Sequence, residues 1–315
     1  MKMVILESLG IDKQTLDAVS EPFRLAGHEM EVYDSSPDVA TQIERACDAD
    51  IIMIANMPLS GEVIRACPKL KFIDVAFTGV DHVDLVAAKD RGVKVSNASG
   101  YSNESVAELV IGVLLSRMRY VPETEKRCRE GKSKGNLIGI ELKNKTVGII
   151  GIGAIGVRTA ELCHAFGASI LAYSRHKKKG LPDFIEEVNL ETLLQQSDVV
   201  SLHCPLTSET RNLINQQTIA LMKPGSYLVN AARGPIVNTD ALVEALKSGH
   251  IAGAAIDVFD TEPPLDIDHP LLHSPNTIVT PHIAFATKES MIRRAEIVFN
   301  NLHHWLMDNQ INVIL

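Results

Sequence analysis

The sequence predicts an α/β protein of two doubly wound parallel-sheet domains. Short apolar runs alternate with helical patterns along the first third of the chain. A second alternation of the same kind begins at Thr146. Strands separated by helices pair in parallel, because each crossover helix returns the chain to the same end of the sheet. The 315 residues suit two domains, and a 45% hydrophobic share allows a core in each.

The first alternation predicts strands at Met3–Leu6, Glu31–Tyr33, Ile51–Ile54, Phe72–Ala76 and Val93–Ser96, with helical stretches such as Thr15–Ala26 and Val39–Cys47 between them. Asn103–Arg119 reads as an amphipathic helix with Val106, Leu109, Val110, Val113 and Leu114 on its apolar side. A polar loop, Gly131–Lys145, leads into the second alternation. Its strands are expected at Thr146–Ile150, Ser169–Tyr173, Asp198–His203, Tyr227–Asn230, Gly253–Asp257 and Thr277–Thr280. A helix at Ala154–Phe166 should stop at Gly167. The last stretch, Lys288–Met307, carries Ile292, Ala295, Val298, Phe299, Leu302 and Leu306 at helical spacing. It should return to bury that stripe near the N-terminal unit.

Charge and cysteine usage exclude some classes. A net charge of −8 disfavours nucleic acid as the main partner. The five cysteines are dispersed, with no C-x-x-C pair, which predicts reduced thiols and a cytoplasmic protein, with Cys128 at the surface. No apolar run is long enough for a membrane span, and the opening Met-Val-Ile-Leu ends at Glu7, too soon for a signal-peptide core. No metal-ligand pattern is evident.

The run Val147-Gly-Ile-Ile-Gly151-Ile-Gly153-Ala-Ile-Gly156 carries the first chemistry. It is a strand that runs into G-x-G-x-x-G and then a helix, the arrangement that brings backbone against a pyrophosphate. Gly151 should permit the tight turn, Gly153 should clear the phosphates, and Gly156 should let helix and strand pack. The helix N-terminus then offers free N–H groups to the anion. These signals predict a Rossmann cofactor domain at 100–285 inserted in a flavodoxin-like substrate domain, 1–99 plus 286–315. A chain that crosses twice between units predicts a hinge, with ligands in the cleft.

Which cofactor depends on the end of the next strand, where an NAD enzyme carries an acid for the ribose 2′-hydroxyl. Here the residues are Ala172-Tyr173-Ser174-Arg175-His176, followed by Lys177–Lys179. Arg175 can pair with a 2′-phosphate, and Ser174 can donate to it. The pair favours NADP(H) over NAD(H), and the lysines read as a solvated run.

Three later segments each follow a predicted strand: Asn230-Ala231-Ala232-Arg233-Gly234, Asp257-Val-Phe-Asp-Thr-Glu262 and Thr280-Pro-His282. Doubly wound sheets gather ligands at the carboxyl ends of their strands. Arg233, Glu262 and His282 therefore become candidates for one crevice, although eleven histidines make any single one unremarkable. His282 could deliver a proton, Glu262 could fix its ring and stabilise its protonated form, and Arg233 could hold a carboxylate and polarise a carbonyl.

With these motifs in place, the chain resembles the D-isomer-specific 2-hydroxyacid dehydrogenases over nearly its whole length. Thr78-Gly-Val-Asp-His-Val-Asp84, Ser105-Val-Ala-Glu-Leu109, His203-Cys-Pro-Leu206 and Met222-Lys-Pro-Gly225 join the match. The resemblance implies a catalytic trio of Arg233, Glu262 and His282. It implies substrate-carboxylate binding by backbone groups at Thr78 and Gly79, with Arg233 and His282 also on the substrate. It places Thr78, Ala154, Ile155, Cys204, Ala231, Ala232 and Asp257 against the cofactor, with Asp257 orienting the nicotinamide carboxamide. A homodimer, with the helix after Tyr101 as its interface, is implied as well.

The expected activity is reduction of a small 2-oxoacid, of the glyoxylate or hydroxypyruvate type, with NADPH. The alternative is an NAD-dependent D-2-hydroxyacid dehydrogenase of the phosphoglycerate or D-lactate type. A formate dehydrogenase would pair the histidine with Gln, and Glu262 stands there instead. A corepressor-like dinucleotide sensor would carry extended tails, which this sequence does not suggest. Phe77 and Tyr101 read as bulk near the pocket or as core.

Overall fold

A computed structural model describes residues 1–261 and 264–315. Its contacts divide the chain into two compact units, Met1–Ser102 with Ala286–Leu315, and Asn103–Phe285. Among the described residues each unit has one parallel sheet.

In the first unit the strands are β1 (Lys2–Ile5), β2 (Glu29–Val32), β3 (Ile51–Ile54), β4 (Phe72–Val75) and β5 (Lys94–Asn97). Their order is β2-β1-β3-β4-β5, all parallel, the flavodoxin-like arrangement. Strands β3 and β4 are buried throughout, which is why β3 reads as an unbroken apolar run and β4 as one interrupted only by Asp74. Helices α1 (Lys13–Leu25), α2 (Val39–Ala46), α3 (Gly61–Ala66) and α4 (Leu85–Asp90) each begin at a side-chain cap, Asp12, Asp38, Ser60 and Asp84.

In the second unit α5 (Asn103–Met118) and α6 (Val121–Arg129) precede β6 (Thr146–Ile150), α7 (Ala154–Ala165), β7 (Ser169–Tyr173) and β8 (Ile185–Glu187). Then follow α8 (Leu190–Gln196), β9 (Val199–Leu202), α9 (Gln216–Leu221), β10 (Ser226–Asn230), α10 (Thr239–Ser248), β11 (Ile251–Ile256) and β12 (Thr277–Val279). The sheet order is β12-β11-β10-β9-β6-β7-β8. From β11 to β8 this is the doubly wound dinucleotide order, which reverses between β9 and β6.

Several expectations are refined. The amphipathic face of α5 does not materialise: the helix is apolar around most of its circumference, with Val106, Val110, Ile111 and Leu114 buried and Leu109, Val113 and Leu115 half-buried. Helix α6 was not anticipated, because its sequence is almost wholly polar. It starts from Tyr120 in the left-handed region, with Pro122 in its first turn. Strand β8 is too short to show an alternation.

Helix α11 (Lys288–Leu306) belongs to the first unit. Ala295, Val298, Phe299 and Leu302 are buried, but Ile292 is 45% exposed. Phe299 meets Phe23 at 5.6 Å, and Trp305 stacks on Phe72 at 4.8 Å. Beyond the helix, Leu315 and Ile314 hydrogen-bond to Val95, extending the polar ladder of β5.

Beneath α11 lies a buried polar network. Asn301 donates to Asp74 Oδ1 and to the Asn97 carbonyl, both at 2.9 Å, and accepts from Asn312. Asp74 is fully buried, and its Oδ2 has no partner among the described residues. Burial pushes its carboxyl well above the ordinary carboxylate range, against the opposing pull of Asn301. The native state thus holds this proton more tightly than the unfolded chain. The associated stability is present in acid and is lost as pH rises above the ordinary value of 3.8. Asp74→Asn mimics the protonated group. The melting temperature of the variant relative to wild type should climb as pH is raised from about 4, and a pH-independent difference would contradict this account.

Candidate active site

The carboxyl end of β6 leads into the glycine turn. Gly151 has φ +98°, and a Cβ there would lie 2.5 Å from the Cys204 nitrogen, so only glycine fits the turn and the strand beside it. A Cβ on Gly156 would lie 2.1 Å from the Gly151 carbonyl oxygen, so its absence lets α7 close onto the turn. Gly153 caps α7 without a side chain, and a Cβ there would meet nothing within 4 Å. Bare backbone therefore faces open space at a helix N-terminus, which fits a dinucleotide pyrophosphate. Ala154 and Ile155 form the first turn of that helix.

Beside the turn is a cavity of about 370 Å³ whose lining includes Gly151, Gly153, Ser174, Arg175, Cys204 and Glu209. Burial pushes the Cys204 thiol up to about 11, so it is an uncharged wall rather than a nucleophile. Burial takes neighbouring His203 down to about 4, and its ring bonds Ser201 at 2.9 Å, so it stays neutral.

Around Ser174 and Arg175, after β7, carboxylates arrive from elsewhere in the fold. Glu187, at the end of β8, accepts from the Ser174 hydroxyl at 3.0 Å and from the Lys178 amide at 3.3 Å. The Ser174 hydroxyl also reaches the His176 carbonyl at 2.8 Å. Its single proton is thus engaged, where the sequence suggested a donor aimed at a phosphate. Arg175 pairs with Glu209 at 2.9 Å. Lys177–Lys179 are exposed. Sequence reasoning missed Glu187 and Glu209, because neither occupies the strand end where the acid was sought.

The remaining candidate residues of this unit follow β10, β11 and β12, which are consecutive in the sheet. Asn230 closes β10. Its side chain accepts from the Ala232 amide at 3.1 Å and donates to the Arg233 carbonyl at 3.0 Å, shaping the Ala231-Ala232-Arg233 loop. A Cβ on Gly234 would fall 1.7 Å from the Phe259 oxygen, so glycine is what allows this loop against the segment after β11. Arg233 is half-buried, and its Nη1 donates to the Ala232 carbonyl at 2.7 Å.

Asp257 follows β11 and is 4% exposed. Its Oδ1 accepts from Thr280 Oγ1 at 2.6 Å and from the Ile283 amide at 2.9 Å, and its Oδ2 accepts from the Ala284 amide at 2.9 Å. Its carbonyl accepts from the His282 amide at 2.8 Å. Burial raises the Asp257 carboxyl above its usual range, opposed by these donors. His282 sits at φ +54°, uncommon for a residue with a side chain, and this web of bonds holds it there. Phe285 meets its ring edge-on at 5.5 Å. Glu262, the third residue of the expected trio, lies outside the described residues.

In the first unit, Thr78 follows β4. Its carbonyl accepts from the Asn97 side chain at 2.7 Å, and its buried Oγ1 has no partner among the described residues. Gly79 is half-buried beside it. Phe77 and Tyr101 are core, 4% and 1% exposed, with rings 6.1 Å apart. Among the described residues no His/Cys/Asp/Glu group could hold a metal ion, and no helix is long and apolar enough to cross a membrane.

A phosphate-ready glycine turn, with a guanidinium and an imidazole on the strand ends that flank β11, defines a nicotinamide-dependent oxidoreductase. The family model described as D-isomer specific 2-hydroxyacid dehydrogenase, NAD binding domain, matches residues 111–284. The chain is 39% identical to the hydroxypyruvate reductase of Blautia hydrogenotrophica, an alignment covering 100% of this chain and 99% of that protein. It is also 39% identical to the glyoxylate reductase of Thermofilum pendens, over 93% of this chain and 88% of that one. Among solved structures, an acyclic imino acid reductase in complex with NADPH and D-Arg superposes with a TM-score of 0.92 at 28% identity, covering 100% of both chains. The chain belongs to the D-isomer specific 2-hydroxyacid dehydrogenase family, as an NAD(P)-dependent oxidoreductase acting on CH–OH donors.

The glycine geometry separates two effects. Gly151→Ala forces a side chain into a positive-φ turn against Cys204 backbone and should lower stability by at least ~1–2 kcal/mol, read as a drop in melting temperature. Gly153→Ala has room in the protein itself. It should melt like wild type while losing cofactor affinity in a calorimetric titration.

Proposed function

We propose that this protein reduces small 2-oxoacids, of the glyoxylate or hydroxypyruvate type, with a preference for NADPH. The observation that carries the reading is the Asp257-anchored His282 turn beside the Asn230-shaped Arg233 loop. Full-length similarity to enzymes called hydroxypyruvate reductase and glyoxylate reductase supports the substrate class. Arg175, lining the cofactor cavity, supports NADPH.

A bound reduced nicotinamide supplies the hydride to the carbonyl carbon. The chain's own residues do the rest. Arg233 holds the substrate carboxylate and stabilises charge growing on the carbonyl oxygen. His282, as imidazolium, delivers the proton to that oxygen, so one hydride and one proton convert the ketone to the alcohol. Glu262 is assigned on the resemblance alone, to orient His282. Thr78 and Gly79 contribute backbone groups to the carboxylate, and the orphaned Thr78 hydroxyl is available to a ligand. Ala154, Ile155, Cys204, Ala231, Ala232 and Asp257 keep their proposed places along the cofactor.

A second reading, NADH as the working cofactor, is favoured by one observation: Glu187 brings a carboxylate to Ser174 after all. We further propose a homodimer, because α5 keeps Leu109, Val113 and Leu115 only half-buried within its own unit. All five cysteines are free, which suits a reducing cytoplasm.

The deciding assay is kcat/KM for NADPH and NADH against a panel of 2-oxoacids. Glyoxylate or hydroxypyruvate with NADPH should rank first, and silence with every acid would overturn the reading. His282→Ala and Arg233→Ala should each lower kcat by ~10²–10⁴-fold while calorimetric cofactor affinity stays at the wild-type value. Retained turnover in either would remove that residue from its role.

A further inference from the structure

The cofactor cavity has an ion pair at its ribose end that the reaction chemistry leaves unexplained. Arg175 and Glu209 both line the cavity, and their side chains meet at 2.9 Å. They come from different strand ends, Arg175 after β7 and Glu209 after β9. Neither segment is loose. The Arg175 loop is tied down by Glu187, which holds the Ser174 hydroxyl and the Lys178 amide. The Glu209 turn is closed by reciprocal bonds: the Thr207 amide donates to Thr210 Oγ1 at 2.8 Å, and the Thr210 amide donates to Thr207 Oγ1 at 3.2 Å. Thr210 Oγ1 also bonds the Pro205 carbonyl at 2.6 Å. The Glu209 carboxylate is therefore delivered to this end of the cavity by a rigid turn.

We propose that Glu209 determines cofactor specificity by competing with the 2′-phosphate of NADP(H) for Arg175. This rests on the reading of Arg175 as the phosphate partner. Both side chains are largely exposed, 63% and 62%, so the pair is weak and opens readily. A phosphate dianion offers Arg175 a stronger, bidentate partner and displaces the carboxylate. The displaced carboxylate still loses its own partner and faces like charge, so NADP(H) binds less tightly than Arg175 alone would allow. NAD(H) brings no phosphate and leaves the pair intact. The wild-type site thus has a moderated rather than an absolute preference, and Glu209 sets its size.

The test uses the whole protein and two adenosine fragments that differ in the 2′-phosphate, 2′,5′-ADP and 5′-AMP, titrated calorimetrically. It is paired with the kcat/KM ratio for NADPH over NADH. Glu209→Gln should raise both the fragment-affinity ratio and the kinetic ratio about threefold to tenfold, and raised salt should shrink the gain. Arg175→Ala should lower both ratios, and adding Glu209→Gln to it should restore little. Unchanged ratios in Glu209→Gln while Arg175→Ala lowers them would overturn the role of Glu209 and leave the NADPH reading standing. A gain of full size in the Arg175→Ala background would overturn competition for the guanidinium. Unchanged ratios in Arg175→Ala would overturn the NADPH reading and this proposal together. Thermal melting of each variant confirms that a folded protein is being compared.

Discussion

The loops that follow β10, β11 and β12 in the second unit depend on one buried carboxylate. Asp257 terminates β11 and is nearly inaccessible to water. A carboxylate there is costly unless donors surround it, and three do: Thr280 Oγ1 and the Ile283 and Ala284 amides. Two of those donors are backbone groups just after His282. Satisfying the buried carboxylate and shaping the His282 turn are therefore the same event. The positive φ of His282 is a conformation uncommon for a residue with a side chain, and the bonds from the His282, Ile283 and Ala284 amides to Asp257 hold it.

The same segment organises the Arg233 side. The Asp257 amide donates to the Asn230 carbonyl at 2.9 Å, and Gly234 packs against the Phe259 carbonyl with no room for a side chain. Loops after β10 and β12 thus both hang from the segment after β11, the strand between them. Parallel pairing makes this possible, since it aligns all three carboxyl ends on one edge of the sheet.

What was legible in the sequence follows from this physics. Buried parallel strands read as apolar runs, so β3, β6 and β7 were located to the residue, and Gly151 and Gly156 stood where backbone crowding demands glycine, with Gly153 where bare backbone faces open space. Strand ends then pointed to Arg233, Glu262 and His282, and the family resemblance added Asp257. Tertiary partners were not legible. That Asp257 is held by Thr280 depends on β11 and β12 being neighbours, which no local pattern encodes. Asp74 sits in a strand whose other residues are apolar, and only the fold reveals that Asn301, far along the chain, answers it. Helix α6 escaped because almost all of its residues are polar, and the apolar side assigned to α5 proved to be most of its circumference.

The ribose end shows the same limit from the side of charge. The strand end carries Ser174 and Arg175 where an acid was sought, and taken alone that pair argues for a phosphate. In the fold, Glu187 stands one strand over and Glu209 one turn away, so the local charge is far less positive than the sequence segment suggests. Recognition of a ribose substituent depends on the summed field of groups converging in space. Reading a single strand end captures one contributor to that field. A basic strand end is therefore evidence about cofactor choice only after the carboxylates that share its donors have been found.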